Sequence, residues 1–446
     1  MRRALDILEK VYGRKHPEVG FSVSNLGILL DDLKQTREAA SLFLHTIAIH
    51  EESTDREHPN VMVPLIKLGE IHHLEGRFDR ARRFYTRALT IGQKRLGPNH
   101  PRTARTHAKL ARLNIDDKNW RPTLGLARKS TAVTVERLLK TSNALRARTK
   151  DLASTGITDA NRNFQDHGRI AYRLALSEPA RNFELMEEGF VTAQWALATL
   201  ASQALVKMAT RASTSSPKLA ELVRQQQDLI EQWRAADRAL EAAARLPENK
   251  RNETVETAKS KARADADAKL QTINARLANE FPEYQSLNIS QPLKINDVQS
   301  LLRRDEAMIL IQDLAATVQF KTATTLIWVI SKDDAVWKEV AIGGKEMRDQ
   351  VAALRCGFEH TAWYGEGAIT CADRLKLPLG RVPSASSPLP FSMATAHDLY
   401  RKLFGDLEAE TRGKQLLIVS TGALTKLPFQ ALITEAPRSN DYVKAA

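Results

Sequence analysis

A 42-residue period constrains this chain more than any other feature. His16-Pro17, His58-Pro59 and His100-Pro101 stand 42 residues apart, twice over. In the same register Asn25-Leu26-Gly27, Lys67-Leu68-Gly69 and Lys109-Leu110-Ala111 superimpose, as do Ala39 with Ala81 and Arg3-Ala4-Leu5 with Arg87-Ala88-Leu89. Self-similarity at such a period means stacked supersecondary units, each burying its apolar face against the next. Every unit reads as two helices. The first opens at the His-Pro dipeptide, because proline suits a first helical position whose N–H would be unpaired in any case. The second opens near Arg37 or Asp79, after a turn that is Glu75-Gly76-Arg77 in the middle unit. Small residues at Gly27, Gly69, Ala111, Ala39 and Ala81 let the paired helices approach closely. Pro122 and Thr123 break the pattern, so the third unit is expected to decay. Arg3-Ala4-Leu5 lies in second-helix register, so the chain is expected to open inside a unit.

From about Asp166 to Phe281 the sequence is Ala- and Gln-rich, charged and poor in glycine, with apolar residues at helical spacing around Trp195 and from Leu219 to Trp233. Ser213-Thr214-Ser215-Ser216-Pro217 punctuates the two runs, and Pro247-Glu248-Asn249 precedes a third helix that stops at Phe281-Pro282. Beyond it, Ala307–Ile311, Thr325–Ile330 and Ala335–Val340 are short β-branched or aromatic runs, hence strands, the last two joined by a hairpin at Lys332-Asp333-Asp334. A helix is expected around 345–358, then a Gly/Pro-rich loop to Pro390 and a helix around 394–407. Leu416-Leu417-Ile418-Val419 is a continuous apolar run, which reads as a strand buried on both faces. The expected fold is therefore mostly α, a helical-repeat superhelix over 1–140 and a long-helix spacer over 141–281, followed by a partial α/β domain over 282–446.

The formal charge is +13, and it is concentrated: residues 1–140 hold 26 basic against 16 acidic side chains, whereas 281–446 hold 19 of each. A basic repeat region suits an acidic protein partner. It lacks zinc-finger spacing, an RNP aromatic motif or a basic region leading into heptads, which argues against nucleic acid. No run approaches 18 consecutive apolar residues, so no membrane span is expected. Asp6, Glu9 and Lys10 interrupt the apolar core a secretory signal would need. Two cysteines in 446 residues point to a reducing compartment, taken as the cytoplasm. No cofactor or metal site is expected either. Gly365-Glu366-Gly367 lacks a third glycine and a strand-to-helix setting. His72-His73 and the His45/His50 pair lack metal-site spacing, and Thr54 stands where a second zinc-binding histidine would follow His50-Glu51. Cys356 and His360 lie four apart, but Cys356 ends a helix pattern and Cys371 falls in the loop, so both read as incidental thiols.

Two resemblances organise these observations. The 42-residue unit, above all Arg80-Ala81-Arg82-Arg83-Phe84-Tyr85-Thr86-Arg87-Ala88-Leu89, resembles the long, kinesin-light-chain-like tetratricopeptide repeat over about residues 1–135. That resemblance implies a peptide-binding groove lined by first helices. Asn25 matches a groove asparagine of the family, while Lys67 and Lys109 replace it in the next two units, implying a more cationic groove. The second resemblance is to CHAT domains, which are caspase-like and characteristically follow such repeats in bacteria. It rests on Phe281-Pro282-Glu283-Tyr284, Gln291-Pro292-Leu293, Leu301–Ala307, the Trp328 and Trp337 strands, Ala396-His397-Asp398-Leu399-Tyr400, and Leu416–Gly422 running into Leu424-Thr425-Lys426-Leu427-Pro428-Phe429. Thr421 departs from it, standing where the family often has an acid. The resemblance implies cysteine endopeptidase chemistry by a His and a Cys at strand ends. Neither the His-Phe-Ala-Thr-His-Gly-like nor the Ser-Ala-Cys-Asn-like motif occurs before Ala446, so no catalytic residue is assigned and the chain is expected to end inside that domain. A peptidase-type protein and a non-catalytic adaptor both stay open.

Overall fold

The computed structural model describes residues 1–53, 55–141, 153–213, 217–244, 246, 251–281, 292–377, 383 and 388–438. The centre of the Ser213–Pro217 turn, Pro247-Glu248-Asn249, the Pro282–Gln291 stretch and most of the segment approaching Pro388 lie outside them. The chain divides into two compact units, 1–179 with 194–292, and 180–193 with 293–446.

In the first unit the repeats are α1 (Arg2–Tyr12), α2 (Pro17–Asp32), α3 (Thr36–Ser53), α4 (Met62–Leu74), α5 (Phe78–Ile91), α6 (Pro101–Asp116) and α7 (Trp120–Thr141). Each His-Pro works as anticipated, with one addition: the histidine itself is the cap. Nδ1 of His16, His58 and His100 accepts the backbone N–H of Glu18, Asn60 and Arg102 at 3.2, 3.3 and 3.1 Å. This satisfies one of the donors a helix start leaves unpaired, as Ser or Asp does elsewhere. In the middle unit a single 3-10 turn, Pro59–Val61, precedes the α-helix. Pro122 does not break the third unit. It falls in the first turn of α7, where a missing N–H costs nothing.

The paired helices meet at a glycine notch. A Cβ on Gly27 would lie 2.8 Å from the Phe43 ring, and one on Gly69 would collide with the Tyr85 ring. Phe43 and Tyr85 are 0% and 1% exposed. At the same positions of the third unit stand Ala111 and Ala127, both buried: where the aromatic is lost, the notch is filled. The array also continues. Helix α8 (Ala153–Ser177) packs on α7 and also touches α6, taking the place of a next first helix. Helix α9 (Asn182–Ser213) follows, then α10 (Pro217–Ala244) and α11 (Glu253–Glu280), which pair through Leu222, Ile230 and Trp233 against Leu270, Ile273 and Leu277.

The second unit holds a four-stranded sheet of order β3-β2-β1-β4, from β1 (Glu306–Leu314), β2 (Thr324–Ser331), β3 (Ala335–Val340) and β4 (Gln415–Ser420). A short helix, α12 (Ile295–Leu301), leads into it. The pairs β1/β2 and β2/β3 are antiparallel, while β1/β4 is parallel, Ile309 opposite Ile418. One face packs Ile309, Ile311 and Val329 on α13 (Gly344–Arg355) and, beyond α14 (Glu366–Arg374), on α15 (Met393–Phe404). On the other face residues 182–193, which periodicity alone assigned to the spacer, meet two tryptophans. Trp328 donates Nε1–H to the Met186 carbonyl at 3.2 Å, and Trp337 donates to Asn182 Oδ1 at 2.9 Å. Gly189 makes this possible, since a Cβ there would sit 2.7 Å from the Trp337 ring.

Three expectations need correction. β4 is not buried on both faces: it pairs only with β1 among the described residues, and Leu416, Leu417 and Val419 are 40%, 51% and 39% exposed. Cys371 lies in α14, not in a loop. Cys356 and Cys371 are not thiols but a disulfide, with Cα atoms 5.7 Å apart and Trp363 packed beside it. The Trp363 indole donates to the Cys356 carbonyl at 2.7 Å, holding the intervening segment against the bond.

Two outcomes are expected. Gly69→Ala should destabilise the repeats by about 1–3 kcal/mol through overpacking, even though alanine is the better helix former. Combined with Tyr85→Ala it should cost less than the two single changes added, in urea melts followed by far-UV circular dichroism; strict additivity would contradict the notch. Reduction of Cys356–Cys371, which closes a span of 15 residues, should cost the second unit about 3 kcal/mol, read as a lower melting midpoint for the Cys356→Ser/Cys371→Ser variant.

Candidate protein-binding site

The first helices α2, α4, α6 and α8 are successive neighbours and form one layer of the array. The period puts Asn25, Lys67 and Lys109 at the same place on α2, α4 and α6, so the structure brings the three anticipated groove positions onto adjoining helices. Their states differ. Asn25 is exposed. Lys67 lies between two carboxylates, 3.0 Å from Asp31 Oδ2 and 3.3 Å from Glu70 Oε2. Lys109 reaches the other oxygen of Glu70 at 2.6 Å. Asp31, Lys67, Glu70 and Lys109 thus form a chain of alternating sign across three helices.

Burial and charge oppose each other along that chain. Burial alone would raise the Glu70 carboxyl, but Lys109 and Lys67 outweigh it and hold Glu70 below the usual carboxylate range. Burial pulls the Lys109 ammonium down despite Glu70, whereas on Lys67 burial is overcome by Glu70 and Asp31, which raise it. The pattern continues on α6. Arg112 donates to Asp166 Oδ2 at 2.6 Å and to Asn163 Oδ1 at 2.8 Å, both on α8. The first-helix cations are therefore largely answered from within the protein. The exposed Arg80 and Arg83 belong instead to the second helix α5.

The carboxylates were the part that sequence reasoning missed. Glu70 was within reach of it, three residues after Lys67 on one helix. Asp31 and Asp166 were not, because their lysine and arginine partners are 36 and 54 residues away.

The other chemistry-bearing residues stay apart or are already engaged. His72 contacts Glu75 at 3.2 Å and stacks on Phe84, and His73 contacts Asp116 at 3.1 Å. Among the described residues no three His, Cys, Asp or Glu side chains cluster as a metal would require. Cys356, being bonded to Cys371, offers no thiolate to His360. Among the described residues no helix is long and apolar enough to cross a membrane.

Family comparison agrees with the period. Residues 22–60 and 60–133 each match a tetratricopeptide-repeat family model. This segment is a tetratricopeptide-repeat array. No curated protein matches the chain. The tetratricopeptide repeats imply protein–protein interaction as the role of this part of the molecule.

Two buried histidines of the array, His50 and His107, and the half-buried His100 are held in their neutral form. Burial lowers His50, His100 and His107 to about 4 each, with His58 adding to the effect at His50, and Lys129 at His107. Unfolded, each titrates near 6.5, so between about 6.5 and 4 the unfolded chain binds more protons. Stability is then complete above about pH 6.5 and lost progressively as pH falls toward 4. The urea midpoint of the repeat transition should drop from pH 7.5 to pH 5. His100→Asn, which keeps a neutral cap acceptor, should retain the pH 7.5 midpoint and blunt the drop. An equal midpoint at both pH values would contradict neutral burial.

Proposed function

We propose that this chain is a protein-interaction module of the bacterial tetratricopeptide–CHAT kind, in which the first-helix layer receives a segment of a partner protein. The observation that carries the interaction role is the repeat array itself, with Asn25, Lys67 and Lys109 on adjoining helices of one layer. The CHAT-like reading of the C-terminal part is supported by a mixed sheet with a parallel β1/β4 pair, helices α13 and α15 on one face, and the tryptophans of β2 and β3 on the other.

An acidic partner is the finer form of this proposal. Such a partner has to compete with Asp31 and Glu70 for Lys67 and Lys109, so Asn25 is the groove position most open to a ligand. The peptidase reading rests on the resemblance alone, since its Cys and His motifs do not occur in this sequence and Cys356, bonded to Cys371, is no substitute. A cytoplasmic location rests on the low cysteine count, and the disulfide favours a more oxidising compartment.

Panning a random peptide display library on the full chain tests the proposal. Binders are expected, and Asn25→Ala should weaken them about tenfold, the scale of one lost hydrogen bond in a desolvated contact. If the partner is acidic, Glu70→Gln should strengthen binding by freeing both lysines, and the gain should vanish at high salt. A library without binders, or binders indifferent to Asn25→Ala, would overturn the interaction role. Binders that ignore both Glu70→Gln and salt would overturn the acidic partner alone.

A further inference from the structure

An open cleft of about 720 Å³ lies in the second unit between one face of α15 and the segment after β4, lined by His397, Asp398, Arg401 and Lys402 on the helix and by Pro437 and Arg438 opposite. Spacings of three and four residues place these α15 side chains on one stripe. Lys402 is engaged by two carboxylates, which leaves that trio with one net negative charge. Lys402 Nζ lies 2.8 Å from both Asp398 Oδ2 and Glu346 Oε1, and Asp398 also accepts from Gln350 Nε2 at 2.8 Å. Arg401 and Arg438 have no carboxylate partner among the described residues, and both are exposed to the cleft. His397 Nδ1 is 3.1 Å from the Ile433 carbonyl, so Nδ1 carries the proton it donates there and Nε2 is left for another partner. The same contact ties the segment after β4 to the helix and fixes the two walls together.

We infer that this cleft binds a phosphate monoester. Two guanidinium groups line the cleft without a carboxylate partner among the described residues, and the planar fork of each suits the oxygens of a phosphate group better than a lysine would. A carboxylate would answer only one of them. With its proton on Nδ1, His397 offers Nε2 as an acceptor to a protonated phosphate oxygen. The cleft is far larger than phosphate alone, which leaves room for the group that carries the ester. A phosphorylated side chain of a protein and a free sugar phosphate share this chemistry.

Isothermal titration of the full chain tests the inference with four probes: inorganic phosphate, a phosphoserine tetrapeptide, ribose 5-phosphate and acetate. The phosphate compounds should bind and acetate should not. Arg401→Gln and Arg438→Gln should each weaken binding about tenfold, and Arg401→Lys should weaken it less, because the charge stays while the fork is lost. Both positions are exposed, so melting midpoints should not move, and two variants on opposite walls guard against a local folding defect in either. Tighter binding of the tetrapeptide identifies a modified protein as the source, and tighter binding of ribose 5-phosphate a metabolite; either supports the site. Absence of phosphate binding, equal binding of acetate, or affinity unchanged in both glutamine variants would overturn it.

Discussion

The repeat half of this protein depends on one steric fit, an aromatic ring lying on a helix that has no side chain beneath it. Phe43 over Gly27 and Tyr85 over Gly69 set how closely the two helices of a unit approach. That distance fixes where the first-helix layer lies, and so brings Asp31, Lys67, Glu70 and Lys109 within ion-pair reach across three helices. The third unit shows the fit is a pair property. With Ala127 in the ring position, Ala111 can occupy the notch, and the helices still pack. The third unit keeps the fit through a compensated exchange of volume.

The electrostatics of the first-helix layer follow from that packing. Lysines drawn into a half-buried layer cannot stay unanswered, because burial disfavours their charge unless a carboxylate stands near. Glu70 serves two of them. A charge excess counted along the sequence therefore says little about the potential over a groove, since the acids that neutralise it come from neighbouring helices.

What was legible in the sequence is what repeats or alternates. The period disclosed the units, the His-Pro starts and the close-approach positions, and the β-branched runs disclosed β1, β2 and β3. Features that join residues far apart in the chain left no periodic trace. The Trp328 and Trp337 contacts with 182–193 link residues 142 and 155 apart, and that stretch of α9 is helical like its neighbours among the described residues. The disulfide was obscured for another reason. Reading 360–390 as loop hid α14, the helix that carries Cys371 back toward the end of α13. β4 misled in the opposite direction: its unbroken apolar run describes a central strand, yet the strand lies at the sheet edge of the described residues. For the groove, the residue types at the three register positions were readable but their ion partners were not.

The histidine caps carry a further consequence. Nδ1 can accept from the helix only when its own proton is absent, so each capping ring, while neutral, is fixed as the Nε2–H tautomer. A free imidazole in water interconverts between its two forms. Three rings spaced 42 residues apart are thus locked in one of them by backbone geometry, and their ring nitrogens should give a common pattern of ¹⁵N chemical shifts. The repeat that organises the fold is written a second time, in the placement of a single proton on each ring.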